Sequence, residues 1–123
     1  MPLDWSIGGL AAGLACYRNQ EFFEAHEHWE DVWNHLADPE KLFVQALIQV
    51  TVAMHHVQST NRAGALSLLE RALRKMEKYP EKFGGVEVAR LREDVRAWVL
   101  ALGDASCSPP GFPAIQLADP HAA

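Results

Sequence analysis

The twenty residues from Leu42 to Asn61 include no Asp, Glu, Lys or Arg. Only two environments suit a helix of that kind. One is a bilayer, which asks for about 20 predominantly apolar residues; the other is the centre of a helical bundle. Gln45, Gln49, Thr51, His55, His56 and Gln58 interrupt the run, so it reads as the buried helix of a soluble protein. The rest of the chain agrees. Its 123 residues make one domain, and 49% apolar with 22% charged residues is an ordinary globular mix that excludes a disordered tail or a collagen-like rod.

Periodicity around this run predicts an all-α chain of five helices, with nothing that alternates as a strand does. The first runs from about Asp4, a plausible cap, to Arg18, with Ile7, Leu10, Leu14 and Tyr17 at helical spacing. Gly8, Gly9 and Gly13 either weaken it or let another helix approach closely. The second runs from about Gln20 to Leu36, with its apolar stripe on Phe22, Ala25, Trp29, Val32, Trp33 and Leu36. Asp38-Pro39 reads as a cap followed by a proline at the first helical position, opening the third helix from about Glu40 to Gln58. The fourth follows Ser59-Thr60-Asn61 on a seam of Leu66, Leu69, Leu73 and Met76, with cations toward its C-terminal end where they suit the helix dipole. Pro80 and then Gly84-Gly85 stop it, and Gly103 closes the fifth. This gives a compact bundle over residues 1–103 and an extended tail over 104–123. Pro109, Pro110 and Pro113 bar helix in the tail, and Phe112, Ile115 and Leu117 are its candidate anchors; a frayed terminus is the alternative.

The formal charge of −5 argues against a nucleic-acid partner, whose binding rests on Lys and Arg neutralising phosphates. Cys16 and Cys107 form no CxxC and no metal-binding spacing, so they read as two free thiols in a reducing cytosol. The first residues have neither a basic nor a long apolar segment, so no signal peptide is expected and the location reads as cytoplasmic.

Charge is distributed unevenly. Seven acids and no Lys or Arg fall between Asn19 and Glu40, whereas eight of the eleven basic residues fall between Arg71 and Arg96. Glu21, Glu24, Glu27 and Glu30 recur at every third position, and like charges at that spacing repel by a few tenths of a kcal/mol per pair. A fourth or fifth helix packed beside the second would neutralise Glu21, Glu24 and Asp31. His26, Glu27 and Glu30 instead border the apolar stripe. Gln45, Gln49 and His56 share a narrow sector of the third helix, with His55 about a quarter-turn away. Antiparallel packing of helices two and three would set His26, Glu27 and Glu30 opposite Gln45, Gln49 and one of His55 or His56.

Two readings of that constellation stand. Two histidines with one or two carboxylates form a ligand set for zinc or non-haem iron, although neither HExxH nor the Glu-x-x-His pairs of di-iron bundles are present. The other reading is a hydrogen-bond network that fixes helix register without chemistry.

Glu21-Phe22-Phe23-Glu24-Ala25-His26-Glu27-His28-Trp29-Glu30-Asp31-Val32-Trp33 resembles the "(Y/F)FEAHE-x-(W/L)E-x-x-W" signature of the domain of unknown function 309 family. Gln45-Ala46-Leu47-Ile48-Gln49 with Ala53-Met54-His55-His56 is similar to its second block, and Asn61, Gly64 and Ala65 to the segment that follows. Ala46 stands where the family usually has Gly, and Thr60 precedes Asn61 where Gly is common. The resemblance implies an all-helical prokaryotic protein with no assigned reaction. Its motif residues include Glu24, His26, Glu27, Glu30, Trp33, Gln45, Gln49, His55 and His56.

Together these features predict a buried His/Glu/Gln pocket between helices two and three that binds a divalent metal (Zn, Fe or Mn) or a small polar ligand. His26, Glu30, His55 and His56 are the candidate metal ligands, and Glu24, Trp33, Gln45 and Gln49 the other ligand contacts. Glu27 or Glu30 would be the general base toward a metal-bound water if the site is hydrolytic. The alternative is a non-catalytic structural or interaction module. No nucleic-acid or membrane partner is expected, and a homo-oligomer is compatible with either reading.

Overall fold

The computed structural model describes residues 3–104, 106 and 108–118. Five helices follow one another: α1 (Gly8–Arg18), α2 (Phe22–Trp33), α3 (Glu40–Gln58), α4 (Arg62–Met76) and α5 (Val88–Gly103). α3 packs between α2 and α4, α1 packs on α2, and α5 packs on α4. This is the position its uncharged run requires: Phe43, Val44, Leu47, Val50 and Met54 have no exposed surface. Thr51, also fully buried, donates its hydroxyl to the Leu47 carbonyl one turn back (2.7 Å), so the core holds no orphaned polar group there. None of the described helices is long and apolar enough to cross a membrane.

Local chemistry sets the helix ends. Asp38 accepts from the Leu42 amide (3.0 Å) at the start of α3, after a cis Asp38–Pro39 peptide. Asn61 caps α4 by accepting from the Gly64 amide (3.0 Å). α1 begins later than Asp4: that carboxylate instead closes a turn onto the Ser6 amide (2.9 Å), and Gly8 adopts φ +59°, which breaks helical continuity. α2 likewise excludes Gln20, whose φ is +63°.

The expectation that no strand occurs is corrected. Lys82–Phe83 (β1) pairs antiparallel with Val86–Glu87 (β2) across Gly84-Gly85. Both glycines have positive φ (+58° and +79°), as a two-residue type I′ turn demands. Two-residue strands are too short to carry a period, which is why alternation did not reveal them.

The glycines of α1 let α2 come close. A methyl group built on Gly13 would lie 2.2 Å from Trp29 Nε1, and one on Gly9 2.7 Å from the Val32 side chain. Trp29 is fully buried there, donating to the Leu10 carbonyl (3.3 Å).

The tail segment 111–118 straps the far side of the bundle. Phe112 stacks on Trp98 (6.3 Å between ring centres) and meets Phe22 edge-on (5.1 Å). Tyr17 donates to the Pro113 carbonyl (2.5 Å), Trp98 to that of Gly111 (2.8 Å) and Arg18 to that of Ile115 (3.2 Å). Ile115 is buried; Leu117 lies opposite Val86 in an antiparallel bridge closed by the Glu87 amide on the Gln116 carbonyl and the Ala118 amide on the Gly85 carbonyl (2.8 Å each), while its side chain stays 38% exposed. Cys107 and residues 119–123 lie outside the described residues.

Candidate functional site

The acids of α2 face outward. Glu21, Glu24, Glu27, Glu30 and Asp31 are all exposed, which corrects the expectation of a buried carboxylate pocket. On a helical wheel Glu30 lies just beyond the apolar arc, and the arc's edge at this point is the protein surface. Neutralisation by α4 or α5 is not realised either, because α3 stands between α2 and α4. Two of the basic residues are committed elsewhere. Arg92 donates to the Met76 and Tyr79 carbonyls (3.0 and 2.7 Å), and Arg62 to those of Leu102 and Ala101 (2.9 and 3.0 Å), each completing a helix C-terminus. Among the described residues the one ion pair made by an α2 acid is Glu30 with His26, at 3.6 Å.

His26 is the most enclosed of the α2 candidates, its side chain 19% exposed against 55% for Glu30. Its Nδ1 lies 2.7 Å from the Phe23 carbonyl, which can only accept, so Nδ1 carries the proton. In the neutral ring, Nε2 therefore turns its lone pair toward the Glu30 carboxylate. That arrangement leaves the Nε2 lone pair and the carboxylate facing one another.

From α3, His55 is the candidate that reaches α2. Its ring sits 5.6 Å from that of Phe23, and Phe23 in turn meets His26 edge-on at 5.1 Å. Phe23 is 48% exposed and was not singled out from the sequence. The signal was present: it is an aromatic residue outside the apolar stripe of its helix, 100° on from Phe22. Gln45, Gln49 and His56 do share one sector, but that sector turns outward and toward α4. Gln49 accepts from the Lys75 ammonium (3.0 Å), and Asn61 Nδ2 lies 3.3 Å from His56 Nδ1. Gln45 is half-buried on the same face. Trp33 lies apart at the α2–α3 turn, with Lys41 4.4 Å from its ring centre and its own Nε1 buried without a partner.

The predicted residues thus separate into a patch of Phe23, His26, Glu30 and His55, a stripe of Gln45, Gln49 and His56, and the outlying Trp33. Among the described residues no group of three or more His, Cys, Asp or Glu is placed to hold a metal ion. The surface cavities lie elsewhere. One of about 340 Å³ is bounded by Tyr17, Arg18 and the tail, and one of about 470 Å³ by Arg71, Arg74, Lys75 and Lys78. Partial burial and then the charges of Arg71, Arg74 and Lys78 push the Lys75 ammonium below the usual lysine range. Cys16 offers no activated nucleophile, since burial and then Glu21 and Glu24 push its thiol up.

Fold and site together define a small all-α bundle whose distinctive feature is the polar outer face of three successive helices. A family model described as "Domain of unknown function (DUF309)" matches residues 10–68, from α1 through α2 and α3 into α4. Over that segment the chain is similar to this family. It is also similar to an uncharacterized protein of Aquifex aeolicus (strain VF5), at 29% identity over 73 residues. That alignment covers 58% of this chain and 22% of the Aquifex protein, so the chain spans less than a quarter of the relative's length.

Proposed function

We propose that this protein is an interaction module that binds through the outer face of α2 and α3. The observation that carries the reading is Phe23. It is 48% exposed, with His26 and His55 against its ring and the unneutralised acids of α2 around it. A half-exposed aromatic ring within a polar rim is the composition of a binding surface centre. In this reading the helical bundle presents the face, and segment 111–118 of the tail closes its other side.

The test replaces Phe23 by the photo-crosslinking residue p-benzoylphenylalanine in cells that make the protein, with Ala97 of α5 replaced likewise as control. The expected result is a discrete crosslinked product from position 23 that is absent from position 97. The same pattern from both positions would overturn the reading.

A second reading is favoured by one specific observation, the Nε2 lone pair of His26 facing Glu30. A divalent cation (Zn, Fe or Mn) held by His26 and Glu30 would relieve that opposition, with His55 as a further ligand and Glu27 as the base toward a bound water. Near-stoichiometric metal in protein purified without tag or chelator, lost in Glu30→Gln, would support it. Protein that takes up no added metal would end it.

A further inference from the structure

We infer that the outer face of α2, α3 and α4 pairs two copies of this chain across a two-fold axis. The inference rests on the interaction-module reading and deepens it by naming the partner of that face. The face is polarised across its width. On one side stand the α2 acids, with Glu27 and Glu30 nearest α3; on the other stand Arg71 and Lys75 of α4 and Lys78, two residues past its end. Between them lies the uncharged stripe of Gln45, Gln49 and Val52. Among the described residues none of those three cations forms an ion pair. Within one copy the two runs cannot neutralise each other. They lie two helix spacings apart, roughly 16–20 Å, about twice the ~8 Å screening length at physiological ionic strength.

The two runs also stand at the same level along α3. Phe23 at the start of α2 lies against His55 near the end of α3, and Lys75 near the end of α4 bonds Gln49 in the middle of α3. Both neighbours therefore run antiparallel to α3. Counted along the helices from those contacts, Glu27 and Glu30 come level with Thr51 and Ile48, and Arg71 with Ala53, while Lys78 follows the end of α4 on the other side of Gln49. Both runs centre on the turn holding Gln49 and Val50. A two-fold axis lying in the plane of the face and parallel to α3 lays the acids of each copy on the cations of the other, twice over. That is an isologous, closed interface rather than an open chain of subunits.

The area is of the right order. A 19-residue α3 is about 28 Å long. Three helices side by side span roughly 25 Å, giving a footprint of roughly 700 Å² per copy, against about 800 Å² in a standard interface. Val52 supplies apolar contact near the centre, and Phe23 toward the end of α3 that holds His55. The charges act mainly on register and encounter rate, as rim charges do. The family match ends at residue 68, so the acids and the Gln/His stripe lie in the matched segment, while the cations lie beyond it.

Sedimentation equilibrium on the full chain tests this. The wild type is expected near twice its 13.7 kDa mass at micromolar concentrations, falling toward 13.7 kDa as salt rises to about 0.5 M. Glu27→Lys with Glu30→Lys, and separately Arg71→Glu with Lys78→Glu, should each give monomers. Mixed one to one they should regain the dimer mass, because every reversed charge then meets its opposite. All four residues are exposed; should a pair fail to fold by circular dichroism, Glu27→Lys and Arg71→Glu alone carry the same test. A monomeric wild type, a dimer indifferent to both reversals, or a mixture that stays monomeric would each overturn the inference. A monomer that still gives a discrete position-23 crosslink overturns the self-pairing and leaves the interaction-module reading standing. A monomer with no such crosslink removes both.

Discussion

Gly13→Ala tests the closest approach in the bundle. The added methyl group would lie 2.2, 2.5 and 2.8 Å from Nε1, Cδ1 and Cε2 of Trp29, where ordinary contact is about 3.5–4.0 Å. The indole cannot swing aside. It is fully buried, with Trp5 edge-on at 5.9 Å and Tyr17 stacked at 5.9 Å, and it is tied to the Leu10 carbonyl. α1 and α2 must therefore part. Overpacking of this kind costs about 1–3 kcal/mol, and the weakened indole hydrogen bond adds about 0.5–1.5 kcal/mol. Against that, alanine exceeds glycine in helix propensity by about 1 kcal/mol. The net loss is about 1–3 kcal/mol, or a fall in Tm of roughly 4–12 °C for a chain of this size. Urea denaturation followed by tryptophan fluorescence measures it. Gly103→Ala, which meets nothing within 4 Å, is the matched control and should stay within about 0.5 kcal/mol of wild type. If Gly13→Ala raised the urea midpoint, propensity would outweigh packing and the close-approach argument would fail.

Three further outcomes follow from the geometry. Arg92→Ala strips two donors from the C-terminus of α4 and should lower stability by about 1–3 kcal/mol in the same urea assay; a change within error would show those carbonyls to be hydrated equally well. Phe112→Ala removes the ring between Trp98 and Phe22, and should cost about 1–3 kcal/mol. It should also speed hydrogen exchange at the Glu87 amide, which bonds the Gln116 carbonyl, and unchanged exchange would mean that Phe112 does not hold the strap. Burial, and then the Asp94 carboxylate, raise the Tyr17 hydroxyl well above its ordinary value near 10. Above about pH 10 the unfolded chain therefore gives up this proton while the folded chain keeps it, and stability falls as pH rises. Denaturation between pH 8 and 11 should show a slope shallower by one proton in Tyr17→Phe; equal slopes would contradict the assignment.

The sequence was most readable where one physical pattern acted alone. The bounds of α3 follow from its uncharged run and the flanking Asp38-Pro39 and Ser59-Thr60-Asn61, because nothing competes with burial there. The start of α1 was misread because Asp4 has two local options, a helix cap or a turn onto Ser6, and sequence does not rank them. The sector shared by Gln45, Gln49 and His56 was legible from 3.6-residue periodicity. Periodicity does not say which neighbour faces a sector, so its turn toward Lys75 and solvent became visible only once α4 was in place. The acids of α2 were noticed for the same reason that they were misplaced: their charge called for cations, and whether cations could reach them depended on α3 standing between.

The hydrogen bond from Tyr17 to the Pro113 carbonyl joins residues 96 positions apart. During synthesis at about 5–20 residues per second, Tyr17 is made roughly 5–20 s before its acceptor exists. Throughout that interval the ring of Phe22 lacks Phe112, and α1 and α2 have one side bare. The nascent chain thus passes through a stage in which its first helices can collapse but cannot be sealed, and in that stage any holding factor that recognises exposed aromatic surface has its opportunity.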